Sequence, residues 1–336
     1  MTVEQAVAAP RRRSLWMVIL TYAMTVFVLL SLNFFLPRAL PGDPITSLLT
    51  SGTPSYVQGD ELRAQLERYY GLDRPVLAQY GEYLVNLVRG DLGVSIRYNL
   101  PVADLVAERL PWTVLLVGSA MVLAIVVGWV SGLNSGWRRG RPVDSGLLTV
   151  FLTLRSFPAF FLGSIALLLF AVKLGVVPLS GARTLYAPRM GLLARVADVG
   201  HHLLLPAVVL AVQLAGGHYL LMRAGVVGEL GADYVLGGRA KGLRERRLKY
   251  RYAARNALLP VVTVTALQLS GSVTTALVLI ESVFAYPGMG RLVFDSISFR
   301  DYPALQGCFL ALSLFVVTVN FVTDLLYRRL DPRTVR

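Results

Sequence analysis

Six stretches of the chain are apolar almost without interruption for about twenty residues or more, at 15–36, 112–135, 145–173, 203–222, 258–284 and 303–327. Runs of that length suit helices that cross roughly 30 Å of hydrocarbon. Inside a bilayer the backbone amides meet no water, so each run is expected to be a helix in spite of its many valines. The pattern predicts an all-α polytopic membrane protein with six transmembrane helices.

Between the runs, charged and turn-forming residues take over. The connection at 37–111 is too long for a simple loop and contains helical stretches at 60–70 and 77–88, so a small folded cap is expected there. Pro41-Gly42-Asp43-Pro44 and Gly71-Leu72-Asp73-Arg74-Pro75 are its turn signals. Two further connections on that side lie at 174–202 and 285–302.

The segment at 223–257 carries more structure than a turn needs. Gly228 to Gly238 reads as a short helix with Asp233, Tyr234 and Val235 at its middle, and the Gly237-Gly238 pair predicts a break at its end. Ala240, Lys241, Gly242 and Leu243 supply a turn, after which a second helix runs into the fifth span. On that helix Arg244, Arg247, Arg251 and Arg255 recur at spacings of three and four, which places them on one face. Such a stripe suits either anionic lipid headgroups or the carboxylates of a cytoplasmic partner protein.

Composition agrees with the hydropathy pattern: 55% of the 336 residues are apolar and 16% charged. The net charge of +13 reflects topology rather than a nucleic-acid partner, because the basic residues collect between the spans. Most of them lie in four segments on one side: Arg11 to Arg13, Arg138 to Arg141, Arg223 to Arg255 and Arg328 to Arg336. That bias places residues 1–14, the 223–257 segment and the 328–336 tail in the cytoplasm. The first apolar run exceeds the roughly 7 to 15 residues of a cleavable signal, so it is expected to stay as a span. The single cysteine, Cys308, lies inside an apolar run, so one chain forms neither a disulfide nor a cysteine metal site.

Candidate chemistry is sparse. No G-x-x-x-x-G-K-[ST] phosphate loop occurs, so the chain is not expected to cradle ATP in the usual way. The three histidines, His201, His202 and His218, have no acid or cysteine at ligand spacing, and no metal site is expected. No nucleophile and base pair marks an enzyme. An ion-gradient-driven secondary transporter would want acids deep in the spans, but Asp144, Glu281 and Asp324 all stand near span ends. Gln213, His218, Gln268, Ser272, Thr275 and Asn320 are polar within spans, which suits either a lined path or hydrogen bonding between helices. Arg155, beside Ser156 and Pro158, sits deep enough in the third span to need a partner, a wet cavity or a snorkelling route. Glu281 suits either substrate binding or anchoring of the Pro-Gly turn that follows it, and Gly271 with Thr275 forms a small-xxx-small pair for close packing.

Several segments resemble a known family. Asp233-Tyr234-Val235, Ala240-Lys241-Gly242-Leu243, Glu245-Arg246-Arg247 and Arg255-Asn256-Ala257-Leu258-Leu259-Pro260 are similar to the coupling segment of ATP-binding-cassette importer permeases, in the peptide/nickel (oligopeptide and dipeptide) branch. Leu40-Pro41-Gly42-Asp43-Pro44, Gly90-Asp91-Leu92-Gly93-Val94-Ser95, Glu281-Ser282-Val283-Phe284, Tyr286-Pro287-Gly288-Met289-Gly290 and Leu330-Asp331-Pro332-Arg333 resemble other parts of it, in family order. Where the general motif opens with Glu-Ala-Ala, this chain has Leu236-Gly237-Gly238.

The resemblance implies one permease subunit of a bacterial inner-membrane importer. Its partners would be a second homologous permease, two cytoplasmic ATPase subunits that use ATP and magnesium, an extracytoplasmic substrate-binding protein and membrane lipid. The chain itself would bind no cofactor. The ATPase-coupling residues carried over are Asp233, Tyr234, Ala240, Lys241, Gly242, Leu243, Arg247, Arg251 and Arg255, with oligopeptide or dipeptide as the expected substrate.

Overall fold

A computed structural model describes residues 15–39, 45–46, 60–258, 261 and 273–330. The chain forms two units, 1–92 and 93–336. Helices make up both, and one isolated antiparallel bridge joins Val94 to Pro101.

The first unit holds α1 (Leu15–Ala39), α2 (Asp60–Tyr69) and α3 (Val76–Val88). Gly71 takes a φ of +66° in the turn between the last two, a left-handed value that glycine adopts at little cost. Aromatic packing joins α3 to α1: the Phe34 ring lies 5.1 Å from Tyr80 and 5.4 Å from Tyr83. Arg38 donates to the Gln79 side chain at 3.0 Å beside them.

The second unit opens with α4 (Val102–Trp137), α5 (Pro142–Ser156) and α6 (Ala159–Ala166), which runs on through a wider π turn at Leu167–Lys173. Next come α7 (Leu192–Glu229), α8 (Asp233–Ala240) and α9 (Glu245–Arg247), the last continued by a π turn at Leu248–Ala253. Then follow α10 (Val273–Val283), α11 (Met289–Ser298) and α12 (Tyr302–Leu330). Among the described residues, α4 and α7 are each long and apolar enough to cross a membrane, and α5 with α6 qualifies as a bent pair.

Packing of α4 on α7 organises this unit. Gly128, Gly132 and Gly136 recur every fourth residue, so they share one face of α4. A Cβ on Gly132 would stand 2.6 Å from the Tyr219 carbonyl oxygen, and one on Gly128 2.7 Å from the His218 Cβ. Only glycine lets the two backbones come that close. Around this seam a buried cluster forms from Leu116, Ala120, Leu210, Ala215, Tyr219 and others. A second cluster of Leu105, Met289, Leu292, Leu305 and Cys308 joins the start of α4 to α11 and α12.

The helices differ from the hydropathy pattern in three places. First, α4 and α7 begin ten or so residues before the apolar runs at 112 and 203, and each passes through a proline, Pro111 and Pro206. Apolar composition marks the part suited to lipid, whereas backbone hydrogen bonding carries the helix beyond it. Second, the run at 145–173 is not one straight span: α5 and α6 meet at an angle of 99°. Proline disfavours helical dihedrals in the residue before it, and Phe157 accordingly has φ −83° and ψ 140°. Third, the expected helix at 228–238 is divided, since α7 continues to Glu229 and α8 starts at Asp233.

Several expectations lie outside the described residues: the 1–14 terminus, Pro41-Gly42-Asp43-Pro44, residues 259–260 and 262–272 of the 258–284 run with Gln268, Gly271 and Ser272, and the end of the 328–336 tail. Thr275 lies on α10 and Asn320 on α12, with their side chains likewise outside the described set.

Candidate coupling site

Beyond the end of α7 at Glu229, the 223–257 segment folds as two short helices that meet at Gly242. The Leu243 amide donates to the Gly238 carbonyl at 3.1 Å and the Gly242 amide to that of Arg239 at 2.9 Å. With Gly242 at φ +71°, this is a Schellman motif, and Gly242 is its left-handed residue. The break therefore falls at Gly242 rather than at the Gly237-Gly238 pair, which lies inside α8. Gly238 is there for closeness: a Cβ on it would lie 2.5 Å from Leu248 Cδ2, while Gly237 faces open space.

This arrangement sorts the candidate residues by exposure. Asp233, Ala240, Lys241, Gly242, Arg247, Arg251 and Arg255 are exposed, with Tyr234 and Leu243 half-buried. The Tyr234 hydroxyl donates to the Glu229 carboxylate, and burial together with that bond pushes the phenol above its usual range. Arg239 pairs with Glu245 at 3.0 Å across that turn. Val235, Leu248 and Ala253 point inward and are fully buried. The π turn puts more residues into each turn and so narrows the angular step along the second helix, yet Arg244, Arg247, Arg251 and Arg255 all remain on the surface.

The foot of this knob stands on α4 and α7. Ala254, Ala257 and Val261 form a buried cluster with Leu133, Met222 and Val226. Gly225 gives room for Ala257, since a Cβ there would lie 3.3 Å from the Ala257 Cβ. The Lys249 ammonium is buried and donates to the Asn134 side-chain oxygen on α4. That contact is invisible to the periodicity of the sequence, in which Lys249 is one more basic residue.

A second polar cluster at the same end was also missed. Arg223 holds Asp144 bidentately, Nε to Oδ1 at 2.7 Å and Nη2 to Oδ2 at 2.8 Å. Ser135 donates to the same carboxylate and is 2.6 Å from the Tyr219 hydroxyl, and the Gly140 amide donates at 3.0 Å. Two helices, α4 and α7, and the turn at Gly140 thereby close on one buried acid of a third helix. The only hint in the sequence is an acid and an arginine at the ends of two different apolar runs.

Of the polar residues within the runs, Gln213, His218 and Glu281 are engaged. Gln213 Nε2 donates to the Phe157 carbonyl at 2.9 Å and to that of Leu154 at 3.4 Å, covering the backbone freed by the bend. His218 is buried against Gly128. Glu281 is fully buried and accepts from Thr113 Oγ1 at 2.7 Å and from the Arg291 amide at 3.0 Å. Thr113 in turn accepts from the Met289 amide at 2.7 Å. A Cβ on Gly288 would sit 2.2 Å from the Glu281 carboxyl carbon, so the Tyr286-Pro287-Gly288-Met289-Gly290 turn folds over that carboxylate. Glu281 thus anchors the turn. Nearby, Asp301 is buried and accepts from Ser95 Oγ at 2.5 Å and from the amides of Arg97 and Ala304 at 3.0 and 3.1 Å. No group of three or more metal-ligating side chains occurs among the described residues.

Comparison with known proteins places this geometry in context. Residues 120–336 match a family described as binding-protein-dependent transport system inner membrane component. An oligopeptide transport system permease protein, AppB of Bacillus subtilis (strain 168), is 35% identical over 96% of this chain and 97% of its own. A glutathione transport system permease protein, GsiC of Escherichia coli (strain K12), is 36% identical over 92% of this chain and 94% of its own. A solved structure of the MetNI methionine ABC transporter superposes with a TM-score of 0.54 at 15% identity, covering 68% of this chain and 96% of that one. At that identity the likeness concerns the fold alone.

Proposed function

Because the chain belongs to the binding-protein-dependent transport system inner membrane component family, as a permease subunit of an ATP-binding-cassette importer, we propose that its 223–257 knob receives the work of partner ATPases. The chain is a multi-pass inner-membrane protein and a transport subunit, not an enzyme.

Within that frame six spans cross the membrane with both termini in the cytoplasm. A second homologous permease completes the path, two cytoplasmic ATPase subunits bind ATP and magnesium, and an extracytoplasmic binding protein delivers the solute. Oligopeptide or dipeptide is the substrate, a reading supported by relatives whose names specify oligopeptide and glutathione transport.

One observation carries the mechanism: the knob is exposed on its basic face and locked on its other. Arg247, Arg251 and Arg255 meet solvent, while Leu248, Lys249, Ala254 and Ala257 are packed against α4 and α7 or each other. A push on the knob therefore moves α4 and α7 rather than dissipating in a hinge. Closure of the ATPases on ATP drives the bundle between outward and inward openings, the alternating-access scheme of rigid elements rocking about a site.

Reversing two charges tests this directly. Arg247→Glu with Arg251→Glu is expected to reduce both the ATPase subunits recovered with the permease and ATP-dependent uptake. Unchanged recovery and uptake would return the arginine stripe to the role of lipid contact.

A further inference from the structure

Arg155 occupies an unusual position. It lies in the last turn of α5, directly before the 99° bend. Eleven residues of helix separate it from Asp144, about 16 Å at 1.5 Å per residue, or roughly half of a 30 Å hydrocarbon core. The neighbouring helix gives the same depth: the Arg155 stem lies on Gly216, where a Cβ would meet Arg155 Cβ and Cδ at 3.4 Å, and Gly216 is near the middle of the apolar run at 203–222.

The local groups that usually occupy an arginine at a helix end are already engaged. Gln213 takes the carbonyls of Leu154 and Phe157, and the Ser156 hydroxyl takes that of Leu152 at 2.8 Å. Among the described residues, the Arg155 guanidinium has no hydrogen-bond or salt-bridge partner, and its side chain is exposed on the surface of the chain. A permanently charged group facing lipid at that depth is costly, so it belongs on a wet path or against an anion. Guanidinium matches carboxylate geometry through paired N–H donors.

We infer that Arg155 binds a carboxylate of the transported solute, the C-terminal carboxylate of a peptide, midway along the translocation path. The inference rests on the peptide reading given above. In secondary transporters, discontinuous spans near the bilayer midplane form the substrate site, and the break between α5 and α6 offers the same kind of place here. Arg155 then offers a way-station to a substrate released from its binding protein, and Gln213 keeps the negative end of α5 from competing for the guanidinium.

The test uses the complete importer, with both permeases, its ATPases and its binding protein, reconstituted in liposomes. Uptake of tri-alanine and of tri-alanine amide is measured, each at a concentration that saturates the binding protein. In Arg155→Gln the ratio of acid to amide uptake is expected to fall about tenfold, the scale of a lost charge-assisted bond, and Arg155→Lys is expected to retain most of the ratio. An unchanged ratio in Arg155→Gln, including equal loss of both peptides, would overturn the inference. So would failure of that variant to assemble with its partners, because a substrate contact is dispensable for assembly. If the unsubstituted importer takes up neither peptide, the peptide reading itself falls and the inference with it.

Discussion

Arg223, at the end of the 203–222 apolar run, holds both carboxylate oxygens of Asp144, at the start of the 145–173 run, at 2.7 and 2.8 Å. The pair ties the beginning of α5 to α7 beside the foot of the 223–257 knob. Through Ser135 and Tyr219 the same carboxylate also holds α4. Any force entering at 223–257 therefore meets three helices fastened at one point.

Breaking that fastening should be expensive. Asp144→Ala leaves Arg223 without its partner and is expected to destabilise the chain by about 3 kcal/mol. Thermal unfolding of the detergent-solubilised complex measures the loss. Because the two residues act as a unit, adding Arg223→Ala should cost much less than the two single effects together. Additive effects would mean that the pair is not a unit.

Close approach of α4 and α7 makes a second expectation specific to position. Gly132→Ala drives a Cβ toward the Tyr219 carbonyl oxygen, which backbone cannot yield, so folded yield and uptake should both drop sharply. Gly118 lies on the same helix with nothing within 4 Å of its added Cβ. Gly118→Ala should be tolerated, and an exposed helical glycine replaced by alanine gains about 0.5 to 1 kcal/mol. Equal behaviour of the two variants in thermal unfolding would contradict the close seam.

Legibility in the sequence followed the range of the interactions. The helical stretches at 60–70 and 77–88 were visible because local periodicity determines them, and α2 and α3 lie there. Gly242 was legible as a bend because left-handed dihedrals demand glycine. The role of Gly238 was not: a Gly-Gly pair in sequence signals weakness, and only the Leu248 side chain, ten residues on, turns it into a contact. Likewise the bend before Pro158 was hidden by an apolar run that continues on both sides of it. Long-range pairs such as Lys249 with Asn134 have no local signature at all.

The neighbouring glycines of α8 distinguish packing from flexibility. Gly238→Ala presses on Leu248, which is fully buried, and is expected to cost about 1 to 3 kcal/mol and to weaken ATPase association. Gly237→Ala meets open space and should leave association intact. Pull-down of the ATPase subunits by each variant reads the difference. Greater harm from Gly237→Ala would mean that flexibility of α8, not its fit against Leu248, matters for docking.

Cross-linking tests the central claim most directly. The native thiol, Cys308, is buried. A cysteine placed at Arg251 in the assembled importer should therefore provide a single accessible thiol among the described residues. It should form a short bifunctional maleimide cross-link to an engineered cysteine on the ATPase subunit, and react with impermeant reagent only from the cytoplasmic face. Labelling from the outer face, or no cross-link at any tested ATPase position while uptake continues, would contradict the account.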